Sequence, residues 1–250
     1  MPGSRNNQGT SGGETSQVTI QPGFAWDDCD AYLFDIDGTL LHAKGGVHID
    51  AFSSSVLEVL GQPLELEGVR VHGNTDTGIL RDAFRGAAIA NEVWEPRLEE
   101  ILERMRETVM RRREHMPVAI YPGVVETLAY LKGKGKLLGV ATGNLEQIGW
   151  LKIEIGGLRD WFSFGGFSDR FVARAEMIGY AAAQARLVAG ESATVCVVGD
   201  TPSDIEAARA NSLPTIAVAT GIFSCKQLLE HSPEVCASSL EALLAYSGDS

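Results

Sequence analysis

Cysteine is scarce in this chain, and its few cysteines are not closely paired. Among 250 residues there are four: Cys29, Cys196, Cys225 and Cys236. None has the Cys-x-x-Cys spacing of a structural zinc site, so a zinc-stabilised fold is not indicated. Unpaired cysteines are typical of a reducing compartment, and the sequence therefore predicts a cytoplasmic protein.

Positive charge is also in short supply. Lysine and arginine total 21 against 33 aspartates and glutamates, which gives a formal net charge of -12. This balance argues against general binding of nucleic acid or of an anionic membrane surface. No apolar run approaches the roughly 18 residues that a membrane-spanning helix needs. The predicted partner is a small molecule, and the sequence does not indicate an oligomeric state.

What the chain does contain is the composition of a soluble globular protein, with 44% apolar and 22% charged residues. Residues 1–24 are rich in Gly, Ser, Thr, Asn and Gln, which predicts a flexible tail. After this tail, strand-like and helix-like segments alternate. Near-continuous apolar runs at 31–35, 136–141, 193–198 and 215–219 favour an α/β fold, with a Rossmann-like parallel sheet covered by helices on both faces.

One segment interrupts this alternation. Residues 42–120 lack a convincing strand and carry helical patterns instead. We expect them to form a smaller helical domain inserted after the first strand. The catalytic core would then comprise residues 25–41 and 121–250.

Acidic side chains follow two of the predicted strands. Asp35 and Asp37 end the first strand and share one side of it, because side chains alternate along a strand. Asp200 ends a later strand, and Asp204 lies in the first turn of the next helix. Capping explains only one acid per helix. Because parallel strands end at one edge of a sheet, the four acids can converge there, and oxygen-only ligands favour Mg2+.

A third strand end carries the sequence Thr142-Gly143-Asn144. A hydroxyl group and free backbone N–H groups at a helix N-terminus form an anion site. A simple helix cap has the same appearance, so this stretch is informative only together with the acids. At the same sheet edge, these three residues predict a phosphate-binding loop.

Three motifs together resemble the haloacid dehalogenase superfamily of phosphohydrolases. They are Asp-Ile-Asp-Gly-Thr-Leu at 35–40, Ala-Thr-Gly-Asn at 141–144 and Gly-Asp-Thr-Pro-Ser-Asp at 199–204. The resemblance covers about residues 28–246, and the helical insertion resembles the mobile cap of this family. The subgroup that it resembles is the phosphoglycolate-phosphatase-like one.

The resemblance implies a role for each acid. Asp35 would be the nucleophile that forms an aspartyl-phosphate. Asp37 would protonate the leaving alkoxide and then activate water. Asp35, the backbone carbonyl of Asp37 and Asp200 would bind Mg2+, with support from Asp204. Thr39 would make a local hydrogen bond that fixes the first loop.

The resemblance also implies a lysine that neutralises the nucleophile and the phosphate. No lysine occurs between Lys152 and Lys226, the part of the chain where we expect it. We therefore assign the role to Arg170, because a guanidinium keeps its charge and can grip phosphate through two hydrogen bonds. Arg174, one helical turn further on, is the rival, and exposure of both arginines to solvent is the remaining alternative.

Selection of the substrate is expected from the insertion. Its sequence Val-His-Gly-Asn-Thr-Asp at 71–76 resembles a Gly-x-Thr-Asp stretch in the caps of phosphoglycolate-phosphatase-like proteins. We predict substrate contacts from Asn74 and Thr75, with His72 also a candidate. Helix capping by Thr75 or Asp76 is the simpler alternative.

The resulting prediction is a Mg2+-dependent phosphatase that acts on a small phosphomonoester, either phosphoglycolate-like or a sugar phosphate. Two alternatives remain open at this point. A phosphomutase of the same superfamily would also carry the acid at Asp37. A catalytically silent binding protein on this fold would account for the missing lysine.

Overall fold

The computed structural model describes residues 18–247, where no helix is long and apolar enough to cross a membrane. The strands in this range are β1 (Val18–Ile20), β2 (Ala31–Phe34), β3 (Leu41–Ala43), β4 (Val118–Ile120), β5 (Leu137–Ala141), β6 (Phe164–Gly166), β7 (Val195–Gly199), β8 (Thr215–Val218) and β9 (Val235–Ala237). The α-helices are α1 (Val47–Leu60), α2 (Asp76–Gly86), α3 (Asn91–Trp94), α4 (Leu98–Arg111), α5 (Val124–Gly133), α6 (Glu146–Ile155), α7 (Arg174–Ala189), α8 (Pro202–Ala210), α9 (Cys225–Leu229) and α10 (Leu240–Ser247).

Within the described range, a seven-stranded sheet has the order β1-β9-β8-β7-β2-β5-β6. The β2 strand lies in the middle and pairs in parallel with both β5 and β7. The remaining pairs are also parallel, apart from the antiparallel pairing of β1 with β9. The predicted parallel sheet is confirmed.

The β2 strand shows how the two faces of the sheet are covered. Tyr32 and Phe34 pack in one apolar cluster with side chains of α5 and α10. Ala31 and Leu33 pack in a second cluster with side chains of α7 and α8. Successive side chains of a strand point to opposite faces. All four residues are therefore apolar and buried, without the alternation of a half-exposed strand.

Two edge strands of this sheet are not among the strands predicted from the sequence. The β1 strand lies within the predicted tail of residues 1–24; the part of that tail at 1–17 falls outside the described residues. The β6 strand is Phe164-Gly165-Gly166, and its two glycines lower its strand propensity. It is held instead by tertiary contact. The ring of Phe164 packs so closely on Gly139 of β5 that a Cβ at Gly139 would overlap it.

The helical insertion has an apolar core of its own. Helix α1 packs along α4, and the rings of Phe84 and Trp94 stack with their centroids 4.9 Å apart. The same apolar cluster includes three residues of the core, from α6 and the position just before it: Leu145, Ile148 and Leu151. The insertion therefore packs directly on the segment that leaves β5.

The two chain crossings into and out of the insertion lie side by side. Strands β3 and β4 pair antiparallel there, with Leu41 opposite Ile120. This pair differs from the expectation that residues 42–120 lack a strand. The strands were not predicted because each has only three residues and shows no resolvable alternation. We propose residues 42–120 as the cap and this strand pair as its junction with the core, residues 25–41 and 121–250.

Candidate active site

Three neighbouring strands end at one edge of the sheet and place the predicted site residues together. Asp35 follows β2, Thr142 follows β5 and Asp200 follows β7. Gly38 turns the first loop with φ of 91°, a left-handed conformation that favours glycine. A Cβ at this position would overlap the Asp200 carboxylate, so the loop and Asp200 are in close contact.

Three buried carboxylates form the centre of this edge. One oxygen from each of Asp35, Asp200 and Asp204 lies within 4.8 Å of the others. Burial and repulsion by Asp35 and Asp204 raise the pKa of Asp200 to about 8. Burial also raises the pKa of Asp35 to about 6, although the Arg174 guanidinium opposes this rise. Clustered carboxylates with raised pKa values fit a hard divalent cation, which would relieve their repulsion.

Asp204 differs from the other two acids because both of its oxygens already accept hydrogen bonds. Its Oδ1 accepts from Nε and Nη2 of Arg174, at 3.0 and 2.6 Å. Its Oδ2 accepts from the backbone N and the hydroxyl of Thr201, which caps α8 in a reciprocal capping box. Asp204 therefore orients Arg174 and begins a helix, which leaves Asp35 and Asp200 as the acids with oxygens available to a cation.

Arg174 is the buried cation next to the predicted nucleophile. It is the first residue of α7, and its Nη2 lies 3.0 Å from Oδ1 of Asp35. Burial opposes its charge, yet Asp204 and Asp35 together raise its pKa above the usual range. A guanidinium fixed in this way can neutralise both Asp35 and a phosphate group beside it.

The assignment of this role to Arg170 is wrong. Arg170 is exposed, lies in a short 3-10 turn and does not line the cavity described below. Helix α7 begins only at Arg174, because residues 168–170 form a separate turn before it. Arg174, the alternative candidate, therefore occupies the first position of this helix, next to Asp35.

Lys152 is a second buried cation, which the sequence reasoning missed. Its side chain is 3% exposed, and its Nζ lies 2.6 Å from Oδ2 of Asp37. Burial alone would raise the pKa of Asp37, but Lys152 and Asn144 outweigh it and hold that pKa below its usual value. The available signal was a single lysine in the apolar run Trp150-Leu151-Lys152-Ile153 on α6.

The phosphate-binding loop has fewer free donors than predicted. The backbone N–H of Thr142 donates to the carbonyl of Gly166, and that of Leu145 donates to the carboxylate of Asp76. The next amide, of Glu146, donates to Asp169. The amide of Asn144 lies 3.4 Å from Oγ1 of Thr142, to which it donates. The predicted loop therefore offers phosphate the Thr142 hydroxyl and the Gly143 amide rather than the helix N-terminus.

The Asn144 side chain connects this loop to the first motif. Its Nδ2 donates to Oδ2 of Asp37 at 2.9 Å and to Oγ1 of Thr142 at 2.7 Å. Thr39 makes a comparable link on the other side, since its hydroxyl donates to Oδ1 of Asp200 at 3.2 Å. Thr39 thus orients a carboxylate in addition to its expected place in the first loop.

The two predicted substrate contacts of the insertion have different positions. Thr75 is fully buried, accepts from the N–H of Gly78 as the cap of α2 and does not line the cavity, so the prediction for Thr75 is wrong. Asn74 does line the cavity, as does His72. The Asn74 amide nevertheless bonds within the insertion, to the carbonyl of Arg70 and to Asp82.

A cavity of about 400 Å³ lies between the sheet edge and the insertion. Its lining on the sheet side includes Asp35, Asp37, Thr142, Lys152, Arg174 and Asp200. Its lining on the other side includes Val47, His48, Phe52, His72, Asn74 and Asp76. The acids, both buried cations and the phosphate-binding loop therefore open into one space that can hold a small molecule.

Comparison with known proteins gives consistent matches. The family described as haloacid dehalogenase-like hydrolase matches residues 32–218. A probable phosphatase, IndB, of Dickeya dadantii is 30% identical over 213 residues, which cover 81% of this chain and 86% of that protein. A phosphoglycolate phosphatase of Pseudomonas savastanoi pv. phaseolicola is 27% identical, over 85% of this chain and 77% of that protein. The crystal structure of a predicted phosphatase from Clostridium acetobutylicum superposes with a TM-score of 0.63 and 18% identity, over 89% of this chain and 99% of that chain, which supports the same fold.

We expect the thermal stability of the metal-free protein to fall as pH rises from 5.5 to 8. The raised pKa of Asp200, about 8, means that the folded state keeps a proton which the unfolded state loses near pH 4, so stability decreases across this interval. Mg2+ competes with that proton and should raise the unfolding midpoint more at pH 8 than at pH 5.5. Thermal unfolding in EDTA and in Mg2+ measures both effects. An equal response to Mg2+ in Asp200→Asn would contradict the proposed cation site.

We expect Arg174→Ala to abolish the binding of inorganic phosphate in the presence of Mg2+, and Arg170→Ala to leave it unchanged. Because Arg174→Ala leaves buried carboxylates unpaired, it should also cost about 3–5 kcal/mol of stability. Arg174→Lys keeps the charge and should retain part of the binding, which separates the loss of contact from unfolding. Calorimetric titration with phosphate provides the measurement, and weaker binding in Arg170→Ala than in Arg174→Lys would reverse the assignment.

Proposed function

The chain belongs to the haloacid dehalogenase-like hydrolase family, and we propose that it is a phosphatase that hydrolyses a small phosphomonoester through an aspartyl-phosphate on Asp35. The observation that carries the proposal is the separate environment of two neighbouring carboxylates. Asp35 lies against Arg174 in the acidic cluster, whereas Asp37 bonds to Lys152 and Asn144. Two carboxylates in separate environments can take separate roles, one as a nucleophile and the other as a proton-transfer group.

In the first half of the reaction, an Asp35 carboxylate oxygen attacks the phosphorus atom. The bond between phosphorus and the ester oxygen breaks, and the leaving alkoxide takes a proton from Asp37. Asp37 is a carboxylate in the ligand-free protein. The negative charge of an approaching phosphate favours its protonation, and it takes this proton from solvent before the ester bond breaks. Arg174 and the Thr142 hydroxyl hold the phosphate oxygens at the sheet edge.

In the second half, Asp37 takes a proton from water as that water attacks the aspartyl-phosphate. The bond between phosphorus and the Asp35 oxygen breaks, and inorganic phosphate leaves. Asp35 is then a carboxylate again, and Asp37 releases the proton taken from water to solvent, which restores the ligand-free state. Asp35, Asp200 and the backbone carbonyl of Asp37 would hold Mg2+, which supplies positive charge against the phosphate oxygens. Asp204 supports this arrangement by fixing Arg174.

A small ester fits the enclosed space above the acids better than a protein or a polymer does. The cavity of about 400 Å³ lies under the insertion, which covers the sheet edge. The similarity to proteins named as phosphoglycolate phosphatases supports a phosphoglycolate-like substrate, and a sugar phosphate is of comparable size. The structure weakens the case for a catalytically silent protein, because the buried side chains of Arg174 and Lys152 supply positive charge where the expected lysine is missing.

We expect release of phosphate from at least one member of a panel of small phosphomonoesters in Mg2+, and none in EDTA. The panel includes 2-phosphoglycolate, glycerol phosphates and hexose phosphates, and the readout is inorganic phosphate. Failure of every ester in Mg2+ would contradict the phosphatase proposal. Turnover of a hexose phosphate only with added sugar bisphosphate would favour the phosphomutase.

We expect Asp35→Asn to lower kcat by roughly 10³-fold or more with little loss of stability, because the amide keeps the shape of the side chain but is not a nucleophile. Asp28→Asn, at an aspartate whose side chain is 87% exposed, is the matched control and should retain full activity. Steady-state kinetics and thermal unfolding of both variants provide the comparison. An active Asp35→Asn protein would exclude the covalent route.

A further inference from the structure

Lys152 is a buried lysine to which the proposed reaction gives no task. An ammonium group has three N–H donors and no acceptor. Its three acceptors here are Oδ2 of Asp37 at 2.6 Å, Oδ1 of Asn144 at 2.7 Å and Nδ1 of His48 at 3.2 Å. The number of donors equals the number of acceptors, so the position of Nζ is fully determined by its surroundings.

The contacts of Lys152 and Asn144 fall on a single oxygen of Asp37. Oδ2 accepts from Nζ of Lys152 and from Nδ2 of Asn144, at 2.6 and 2.9 Å. The Asp37 side chain remains 42% exposed and lines the cavity. Both hydrogen bonds therefore fall on Oδ2, and neither engages Oδ1.

The third partner of Lys152 comes from the helical insertion. Because Lys152 can only donate, Nδ1 of His48 is the acceptor, and the ring proton is on Nε2. Nε2 then donates to Oδ2 of Asp76 at 3.0 Å, and the same oxygen accepts from the N–H of Leu145 at 2.8 Å. A continuous chain of hydrogen bonds therefore leads from the insertion, through His48 and Lys152, to Asp37.

We propose that Lys152 is a positioning residue that holds Oδ2 of Asp37 so that Oδ1 alone meets the leaving group, and that His48 completes this arrangement from the insertion. The inference rests on the proposed function, since it takes Asp37 as the proton donor. In the first half-reaction, the Oδ1–H bond breaks as the O–H bond of the alcohol forms. Lys152 keeps its three protons throughout.

The test compares two esters that differ in their need for a proton. An alkoxide leaves only with protonation, whereas p-nitrophenolate leaves readily without it. The probes are p-nitrophenyl phosphate and the alkyl phosphate that the wild-type enzyme hydrolyses fastest in the panel above. The quantity compared is kcat/KM, because it reports formation of the aspartyl-phosphate and excludes its later hydrolysis.

We expect Lys152→Met to lower kcat/KM for the alkyl phosphate by about 100-fold, the order of loss expected from a displaced acid, with little change for p-nitrophenyl phosphate. Lys136→Met is the matched control. Lys136 lies just before β5, at the end of that strand opposite to Thr142, and contacts Asp28. It should leave both values unchanged. An equal loss on both esters in Lys152→Met would overturn the proposal, because it would indicate a general effect on charge or folding.

Two further variants keep the outcome interpretable. Asp37→Asn should show the same dependence on the leaving group, with a larger loss. If it shows none, the proton-transfer role in the proposed function fails; if it shows the dependence and Lys152→Met does not, only the present inference fails.

His48→Phe preserves a ring against Phe52 but removes the acceptor, and it should give a smaller loss confined to the alkyl phosphate. An unchanged alkyl phosphate value in His48→Phe would overturn the part assigned to the insertion, and this variant provides the test if Lys152→Met does not fold.

Discussion

Repulsion among carboxylates at the end of β2 and β7 is the constraint on which the rest of the site depends. Asp35, Asp200 and Asp204 are buried within a few ångströms of each other, where water screens their charges poorly. The chain meets this cost by placing the first residue of α7, Arg174, between two of them. It leaves the third, Asp200, with a raised pKa, and the remaining demand for positive charge is what makes the edge suitable for a cation.

The helical insertion is part of the same electrostatic arrangement. The backbone N–H of Asp76 donates to the carbonyl of Gly143 in the phosphate-binding loop, and the Asp76 carboxylate accepts from Leu145 just beyond it. Arg106 on α4 bonds to Asp169 of the core, while Asp169 accepts from the first amide of α6. Asp76 of the insertion and Asp169 of the core thus occupy the helix end that the sequence alone assigned to phosphate.

Local sequence determined the parts of the fold that were predicted correctly, and it also indicated where the candidate site residues lie. Buried parallel strands such as β2 and β7 are short apolar runs, and the acids that follow them are visible without knowledge of the tertiary structure. The strand β6 was missed because its glycines carry no strand signal and its stability comes from the contact with Gly139. Arg170 was chosen over Arg174 because the start of α7 depends on a preceding 3-10 turn. Lys152 was missed because a lysine in an apolar run is usually exposed, and only the folded structure shows its three acceptors.

The β3–β4 pair has a mechanical consequence for the insertion. Two short strands joined by hydrogen bonds form a two-stranded ribbon. Such a ribbon bends easily perpendicular to its plane, whereas its hydrogen bonds resist sliding of one strand past the other. Both covalent connections to the insertion run through this strand pair, so we expect any movement of the insertion to be a swing about it. Such a swing would carry His48 and Asp76 away from the sheet edge as one rigid unit, so that the cavity opens and the hydrogen bonds to Lys152 and Leu145 break in the same movement.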